Sequence, residues 1–474
     1  MLLRTRKAKK QLFTSSELLK PRRFDLFKYP ARILIFSFII IITTGTILLM
    51  TPLATVGERL SFIDALFTAT SATCVTGLIV VDTASKFTLF GQAVILILIQ
   101  IGGLGIMTLS TFFVYLIAGR ISMTEREIIQ DTLSQHLISD LGRLLKSVFW
   151  VTMTIEAIGG ILLTLKFVQT QALSKALFSA LFHTVSAFCN AGFSVQSNSF
   201  LDYNADLYTN VVLMGLIILG GLGFIVIFDI FQNKRALLHL RFSKLSFHSR
   251  IVLLTSSILT FGGALVILGL EYDNSLQQVS LPTKLIASLF QSVTCRTAGF
   301  NTLEIGTLAN STLFFMALLM FVGASPGSCG GGIKTSTFAV LTASVLARFR
   351  LQEDVNIFYR RIPNATVSRA ISIAIFSAVI VVLFTMVILI TELHDRPHPE
   401  SRGMFLEYMF EVVSAFGTVG LSTGVTAELS KLGRVLITIL MFIGRLGPVT
   451  IALAVQGRET APKFKYIRER VLVG

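Results

Sequence analysis

The hydrophobic pattern along this chain is one of long unbroken apolar runs rather than alternation. Runs at 33–50, 92–107 and 211–227 carry almost no charge. As helices, each is long enough to cross roughly 30 Å of hydrocarbon. No polar stretch of domain length separates the runs, which predicts a single integral membrane domain. Between the long runs lie shorter segments of a different character, apolar on about half their positions and closing on a glycine. Each is about a dozen residues long, too short to span and bounded by turn chemistry, the pattern of a helix that enters the membrane and turns back.

These short segments are variants of one another. The first runs Leu66-Phe-Thr-Ala-Thr-Ser-Ala-Thr-Cys-Val-Thr-Gly77 and the second Leu181-Phe-His-Thr-Val-Ser-Ala-Phe-Cys-Asn-Ala-Gly192. The third is Leu289-Phe-Gln-Ser-Val-Thr-Cys-Arg-Thr-Ala-Gly299 and the fourth Met409-Phe-Glu-Val-Val-Ser-Ala-Phe-Gly-Thr-Val-Gly420. The closing glycines recur at intervals of 115, 107 and 121 residues. A fixed order of events repeated four times is read before any single motif. The expected fold is an all-α membrane protein of four repeats around a central pore, each repeat a span, a re-entrant pore helix, a filter strand and a second span. That gives eight transmembrane helices and four pore helices. The expected boundaries are 32–118, 145–231, 251–345 and 370–456, with a basic N-terminus at 1–31 and a tail at 457–474. Ser61 and Asp64 have the spacing of a capping box at the start of the first pore helix. Irregular backbone at membrane depth is tolerated where it lines water or is buried in protein, and a shared pore provides both.

Composition sharpens this. The chain of 474 residues is 53% hydrophobic and 14% charged, against about 25% charged in soluble domains. Its net charge of +15 is concentrated before residue 33, at 119–147, 232–250 and 346–369, and in the tail. By the positive-inside rule these stretches are cytoplasmic, as are both termini. This placement argues for topology, against nucleic-acid binding. About thirty polar and basic residues precede the first run, which argues against a signal peptide. Cys74, Cys189, Cys295 and Cys329 have neither zinc-ligand nor disulfide-framework spacing, and the three that precede filter strands read as small packing side chains.

A filter for a monovalent cation replaces its hydration shell with rings of backbone carbonyls. The candidate strands are Val75, Thr76 and Gly77; Asn190, Ala191 and Gly192; Thr297, Ala298 and Gly299; and Thr418, Val419 and Gly420. No ring of Asp or Glu accompanies them. Each pore helix aims its negative C-terminal end at the centre. Arg296, beside the third strand, is expected to point behind the filter. His183 and Glu411 take corresponding pore-helix positions and are expected to brace it. Glu156, inside a span, reads as the anchor of a neighbouring element.

The second spans carry small-residue knots at Gly102 to Gly105, Gly220 to Gly223 and Gly444 to Gly447. The first two read as close packing. In the last, Arg445 replaces the second glycine, and a charge at that depth faces a cavity or a partner. The third repeat has instead an interruption at 323–333, containing Gly323, Ser325, Pro326, Gly327, Ser328, Cys329, Gly330, Gly331 and Gly332, followed by Lys334. Pro326 and the glycines end a helix there. The segment lacks the phosphate-cradling Gly-x4-Gly-Lys-Ser/Thr spacing, and no strand precedes it. It reads as an intramembrane gate, loosely held by side chains, whose carbonyls and Ser325 and Ser328 hydroxyls accept hydrogen bonds from Arg445.

The four Ser-Ala-x-x-x-x-Gly-like segments and the run Gly327-Ser-Cys-Gly-Gly-Gly-Ile-Lys-Thr335 resemble the Trk/Ktr/HKT superfamily of K⁺ transporters, most closely its KtrB-type membrane subunits. The resemblance covers roughly 30–460. It implies K⁺ uptake through four repeats in one chain, with Gly77 rather than serine at the first filter position favouring K⁺. It further implies a homodimer and a cytosolic KtrA-type nucleotide-binding ring. Uptake would be Na⁺-dependent, with nucleotide on the partner and no cofactor in this chain. Cys329 stands where the family suggests threonine, and the basic N-terminus is longer than expected. Two rival readings are weaker. An alternating-access carrier predicts inverted repeats, whereas these run in one direction. An intramembrane enzyme needs a Ser/His, Asp/Asp or HExxH arrangement that the spans lack.

Overall fold

The structure, a computed structural model, describes residues 30–118, 141–234, 242–397, 399–447 and 450. The basic segment at 1–29, most of the stretch at 119–147 and the tail from 451 lie outside the described residues.

Four long helices give the fold its frame: α1 (Pro30–Leu49), α5 (Leu141–Phe167), α9 (Phe247–Glu271) and α13 (Asn364–Leu393). Each is long and apolar enough to cross a membrane. Their apolar side chains point outward as well as inward. On α13, Val382 is 65% exposed and Met386 60%. Such faces suit hydrocarbon and would be penalised in water. The frame helices run past the apolar stretches that mark them in sequence, with α9 beginning at Phe247 behind a Ser246 cap that accepts from the Ser249 N–H.

Inside this frame lie four shorter helices, α2 (Phe62–Thr73), α6 (Leu173–Phe188), α10 (Leu281–Thr294) and α14 (Met404–Gly417). The first starts at the expected capping box: the Ser61 hydroxyl accepts from the Asp64 N–H at 3.2 Å and donates to its carboxylate at 2.8 Å. Their later turns are almost wholly buried.

The helices that follow them are broken more often than their apolar sequences suggest. After the short helix α3 (Thr83–Lys86) the chain enters α4 (Leu89–Ala118). In the second repeat α7 (Leu207–Leu222) meets α8 (Phe224–Gln232) at a bend of 101°. The bend falls at Gly223, whose φ of +85° is left-handed. In the third repeat α11 (Asn310–Phe321) stops and α12 (Thr335–Phe349) resumes beyond the predicted interruption. A two-residue hairpin, β1 (Asn356–Ile357) with β2 (Arg360–Arg361), leads into α13, and α15 (Lys431–Leu446) ends at Gly447, φ +80°.

Packing passes from repeat to repeat. Beyond its own repeat, α4 touches α6, α7 touches α10, α11 touches α14 and α15 touches α2, closing a circle.

Candidate functional site

At the C-terminal end of each short helix the chain turns through the same conformation. Val75, Asn190, Thr297 and Thr418 are left-handed, with φ between +50° and +71°, and the glycines two residues on have φ between +69° and +93°. An alternation of hand sets successive carbonyls to one side of a strand and successive N–H groups to the other. The N–H groups are taken up behind. Thr76, Ala191 and Val419 donate to the carbonyls of Ser71, Ser186 and Ser414 at 2.7–2.9 Å, and Ala298 donates to that of Thr294 at 3.0 Å.

Hydroxyls complete the clasp. The Ser71 hydroxyl accepts from the Gly77 N–H at 3.1 Å and donates to the Leu78 carbonyl at 2.7 Å. Ser186 donates to Phe193 O and Thr294 to Phe300 O, while Ser414 accepts from the Gly420 N–H. Sequence reasoning aligned these residues without seeing their purpose. The signal was a hydroxyl five or six residues before every closing glycine.

The four strands meet in a closed ring. A Cβ on Gly77 would run into the Ala191 carbonyl oxygen, one on Gly192 into Ala298 O, one on Gly299 into Val419 O and one on Gly420 into Thr76 O. Each glycine therefore faces the carbonyl of the next strand, in chain order, and the fourth faces the first. Above the ring, all four glycines open onto a cavity of about 260 Å³ whose wall includes Asp82. Burial pushes the Asp82 carboxyl up, but hydrogen bonds from the Ser85 and Ser197 hydroxyls and the Ala84 and Ser85 N–H groups outweigh it. The carboxyl is held below the ordinary range.

The predicted supports are in place. His183 Nε2 lies 2.9 Å from the Ser194 hydroxyl and accepts from the Val195 N–H, which puts the ring proton on Nδ1, facing Ser179 O. Glu411 accepts from the Ser422 and Thr426 hydroxyls and the Thr423 N–H. Arg296 points away from the ring and donates to Ser256 and Thr260 of α9. Glu156 accepts from Gln100 Nε2 of the preceding repeat at 3.1–3.2 Å. Cys74, Cys189 and Cys295 sit buried at the helix ends. Among the described residues no cluster of His, Cys, Asp or Glu could hold a metal ion.

Directly beneath the ring lies the interruption at 323–333. The Gly331 N–H donates to the Thr418 hydroxyl at 3.0 Å, and a Cβ on Gly330 would strike the Thr297 hydroxyl. Arg445 reaches across with Nη1 on the Cys329 carbonyl and Nη2 on Gly102 O at 2.7 Å. The expectation for the serines is corrected here. The Ser328 hydroxyl donates to Ser325 O, and the Ser325 hydroxyl accepts from Thr335, so neither meets Arg445. Backbone carbonyls take the guanidinium because the serines close the loop on itself.

The loop is also held more firmly than its glycines suggest. Gly323 N donates to Ile333 O, Ser325 N to Gly221 O, Cys329 N to Gly220 O and, in return, Phe224 N to Gly327 O. The carbonyl of Pro326 lies where a side chain at Gly223 would be. Lys334 folds back so that its Nζ donates to Gly330 O. The remaining knots are packing sites. Gly102, Gly220 and Gly444 lie against the carbonyls of Thr73, Phe188 and Phe416 at the ends of the short helices.

Apolar helices framing a ring of inward strands define a multi-pass membrane protein of helical architecture. Over residues 9–463 the chain matches the TrkH family of cation transport proteins, and it belongs to that family. It is 41% identical over 447 residues to the Ktr system potassium uptake protein B of Bacillus subtilis, covering 94% of this chain and 97% of that one. To the protein of the same name from Vibrio alginolyticus it is 38% identical, with 94% of each chain covered. To the potassium/sodium uptake protein NtpJ of Enterococcus hirae it is 35% identical, over 92% and 95%. Its fold superposes on the crystal structure of the potassium transporter TrkH from Vibrio parahaemolyticus with a TM-score of 0.71 at 16% identity, covering 92% and 86%. These relatives are cation transport proteins, not enzymes.

Proposed function

We propose that this chain takes up K⁺ across the cell membrane through the ring closed by Gly77, Gly192, Gly299 and Gly420. The observation that carries the reading is that closure: each glycine faces the preceding carbonyl of the next strand around all four. A ring of carbonyl oxygens with its N–H groups bonded behind suits a dehydrated monovalent cation. The resident charges nearest the strands support it, since Arg296 is turned outward. The four repeats are read as span, pore helix, strand and second span, with eight spans, although several second spans are broken. Both termini lie on the cytoplasmic side, as the basic stretches suggest.

The loop at 323–333 with Arg445 closes the path below the ring. Gly330 and Gly331 of the loop lie against Thr297 and Thr418, and the guanidinium, bonded to the Cys329 carbonyl, adds a positive charge there. Relatives named as protein B of a Ktr system support a further subunit in the system. We take that subunit to be a cytosolic, nucleotide-binding regulator and this chain to be a homodimer. NtpJ, named for potassium and sodium uptake, supports a part for Na⁺ beside K⁺, and we take uptake to be Na⁺-dependent.

The test is growth of a K⁺-uptake-deficient bacterium in low K⁺, with Rb⁺ uptake measured against Na⁺ competition. Wild type restores growth, and serine at any of the four glycines weakens K⁺ over Na⁺ preference by about tenfold, equivalent to ~1.4 kcal/mol. Unchanged competition in all four variants would remove these glycines from the filter.

A further inference from the structure

A cavity of about 690 Å³ opens between the starts of α9 and α13 and the first turns of α12. Both long helices begin here, so the cavity lies where spanning helices leave the hydrocarbon. On the topology proposed above, that is the cytoplasmic face.

Its mouth is basic. Arg361 and Arg369 line it, and the Arg360 guanidinium stacks 5.7 Å over Phe247. Asp354 accepts from Arg361 at 2.7 Å, which leaves Arg361 only part of its donor set, while Arg369 is exposed and makes no hydrogen bond or ion pair among the described residues. His248 also lines the cavity, and its Nε2 is buried with no hydrogen-bond partner. A buried donor or acceptor without a partner costs about 1–3 kcal/mol, which a ligand able to hydrogen-bond would relieve. Deeper, the lining turns apolar with Ile251, Val340 and Ile373.

We infer that this cavity binds an anionic phospholipid of the inner leaflet. Its phosphate is held by Arg361, Arg369 and His248, and an acyl chain lies along Ile251 and Val340. Two features favour a lipid over a free anion. The apolar floor has nothing to offer a hydrated phosphate, and basic pockets between helix ends at the cytoplasmic surface attract anionic headgroups. Arginine offers the paired donors that a phosphate accepts.

The site reaches the gate through one helix turn. Ser336 and Thr337 line the cavity, and the adjacent Thr335 donates its hydroxyl to Ser325 inside the loop at 3.0 Å, while its N–H reaches Ala324 O. A headgroup resting on this turn biases the helix that ends the loop, so transport depends on lipid charge.

The full-length protein is reconstituted in vesicles of phosphatidylcholine, alone or with phosphatidylglycerol, and Rb⁺ uptake is measured beside native mass spectrometry. Wild type is expected to retain phosphatidylglycerol and to transport several-fold faster with it. The double variant Arg361→Gln/Arg369→Gln, and separately Val340→Trp to fill the cavity, lose both retention and the gain. Uptake of the double variant in phosphatidylcholine alone stays at the wild-type level. If both variants keep wild-type retention and lipid dependence, the site is refuted. Competition by millimolar inorganic phosphate would make it a free-anion site and overturn the lipid assignment. The inference rests on the transport reading only for its functional arm. Absence of Rb⁺ uptake by wild type in every vesicle would sink that reading, while retention still decides the site.

Discussion

Two kinds of residue hold each strand, and they are constrained differently. Glycine is required because the neighbouring strand's carbonyl fills the space of a Cβ. The hydroxyl behind it is required because it satisfies backbone groups that burial would otherwise leave unpaired. Ser71→Ala abandons a buried glycine N–H, at about 1–3 kcal/mol, and Ser414→Ala a partly buried one, at less. We expect both variants to express, to lose K⁺ over Na⁺ preference by about tenfold and to lower thermal stability in detergent; wild-type competition would assign the hydroxyls to folding alone. Asp82 is a second residue-level case. Its carboxyl is held below the usual carboxylate value of about 3.9, so it stays charged throughout the neutral range. The stability and the negative potential it supplies are complete above that value and are lost as pH falls through its lower folded value. Uptake at low ionic strength is therefore expected to stay flat on this account from about pH 8 to pH 5 and to drop in stronger acid. Asp82→Asn should lower uptake several-fold in dilute buffer, with the difference shrinking in high salt. Equal uptake by variant and wild type at low salt would show that this charge does not draw cations. The strand residues were legible in the sequence because they repeat four times. Asp82 was not, because it occurs once and its role appears only when Ser197, from another repeat, closes on it.

The elements show the limit of reading apolar runs one at a time. The break after α11 was legible because Pro326 and a run of glycines cannot continue a helix. The bend between α7 and α8 was not, since Gly220 to Gly223 reads as a packing knot and the same pattern at Gly102 to Gly105 lies within an unbroken helix. What differs is the partner. The loop carbonyls at Pro326 and Gly327 press on Gly223, and Phe224 donates to Gly327 O, so the bend and the loop hold each other. The sequence also made the loop look slack, because backbone hydrogen bonds to other repeats leave no trace in side-chain composition. The loop is therefore held in one conformation by backbone hydrogen bonds rather than hanging as a flexible flap, and Arg445 and Lys334 are its charged fastenings, of which Arg445 spans two carbonyls. Arg445→Ala removes two charge-assisted bonds and the positive potential below the ring. It is expected to raise Rb⁺ flux several-fold and to weaken dependence on a regulatory subunit. Arg445→Lys keeps the charge but lacks the fork that spans Cys329 and Gly102, and should fall between. Flux at the wild-type level in both variants would place the barrier elsewhere.

At the scale of the molecule, a ring of four repeats in one chain has three joints crossed by the chain and one that is not. The repeats adjoin in order, so the first and fourth meet with no covalent link between them. At that seam α15 packs on α2, Gly420 faces Thr76 O, and Arg434 pairs with Asp64 at 2.5 Å. Arg434 also donates to the carbonyls of Leu429 and Ala427, while Asp64 is held by Ser61 at the start of α2. The pair thus fixes the start of α2 to α15, and both side chains are largely buried at 22% and 16% exposed. Removing one partner leaves a charge in a poorly solvated site, which costs about 3–5 kcal/mol when burial is complete and less here. Asp64→Asn should therefore lower the melting temperature and, by loosening the seam at which Gly420 faces Thr76 O, reduce K⁺ over Na⁺ preference. Asp64→Asn with Arg434→Gln should recover part of the stability, because no charge is left alone. The pair Lys166 and Asp206, at 2.9 Å, joins two helices of one repeat and serves as the control. Asp206→Asn should cost stability while leaving selectivity unchanged. If Asp64→Asn destabilises the protein as Asp206→Asn does and selectivity stays intact in both, the ring does not depend on its open joint, and the covalent connections between the other repeats suffice to hold it closed.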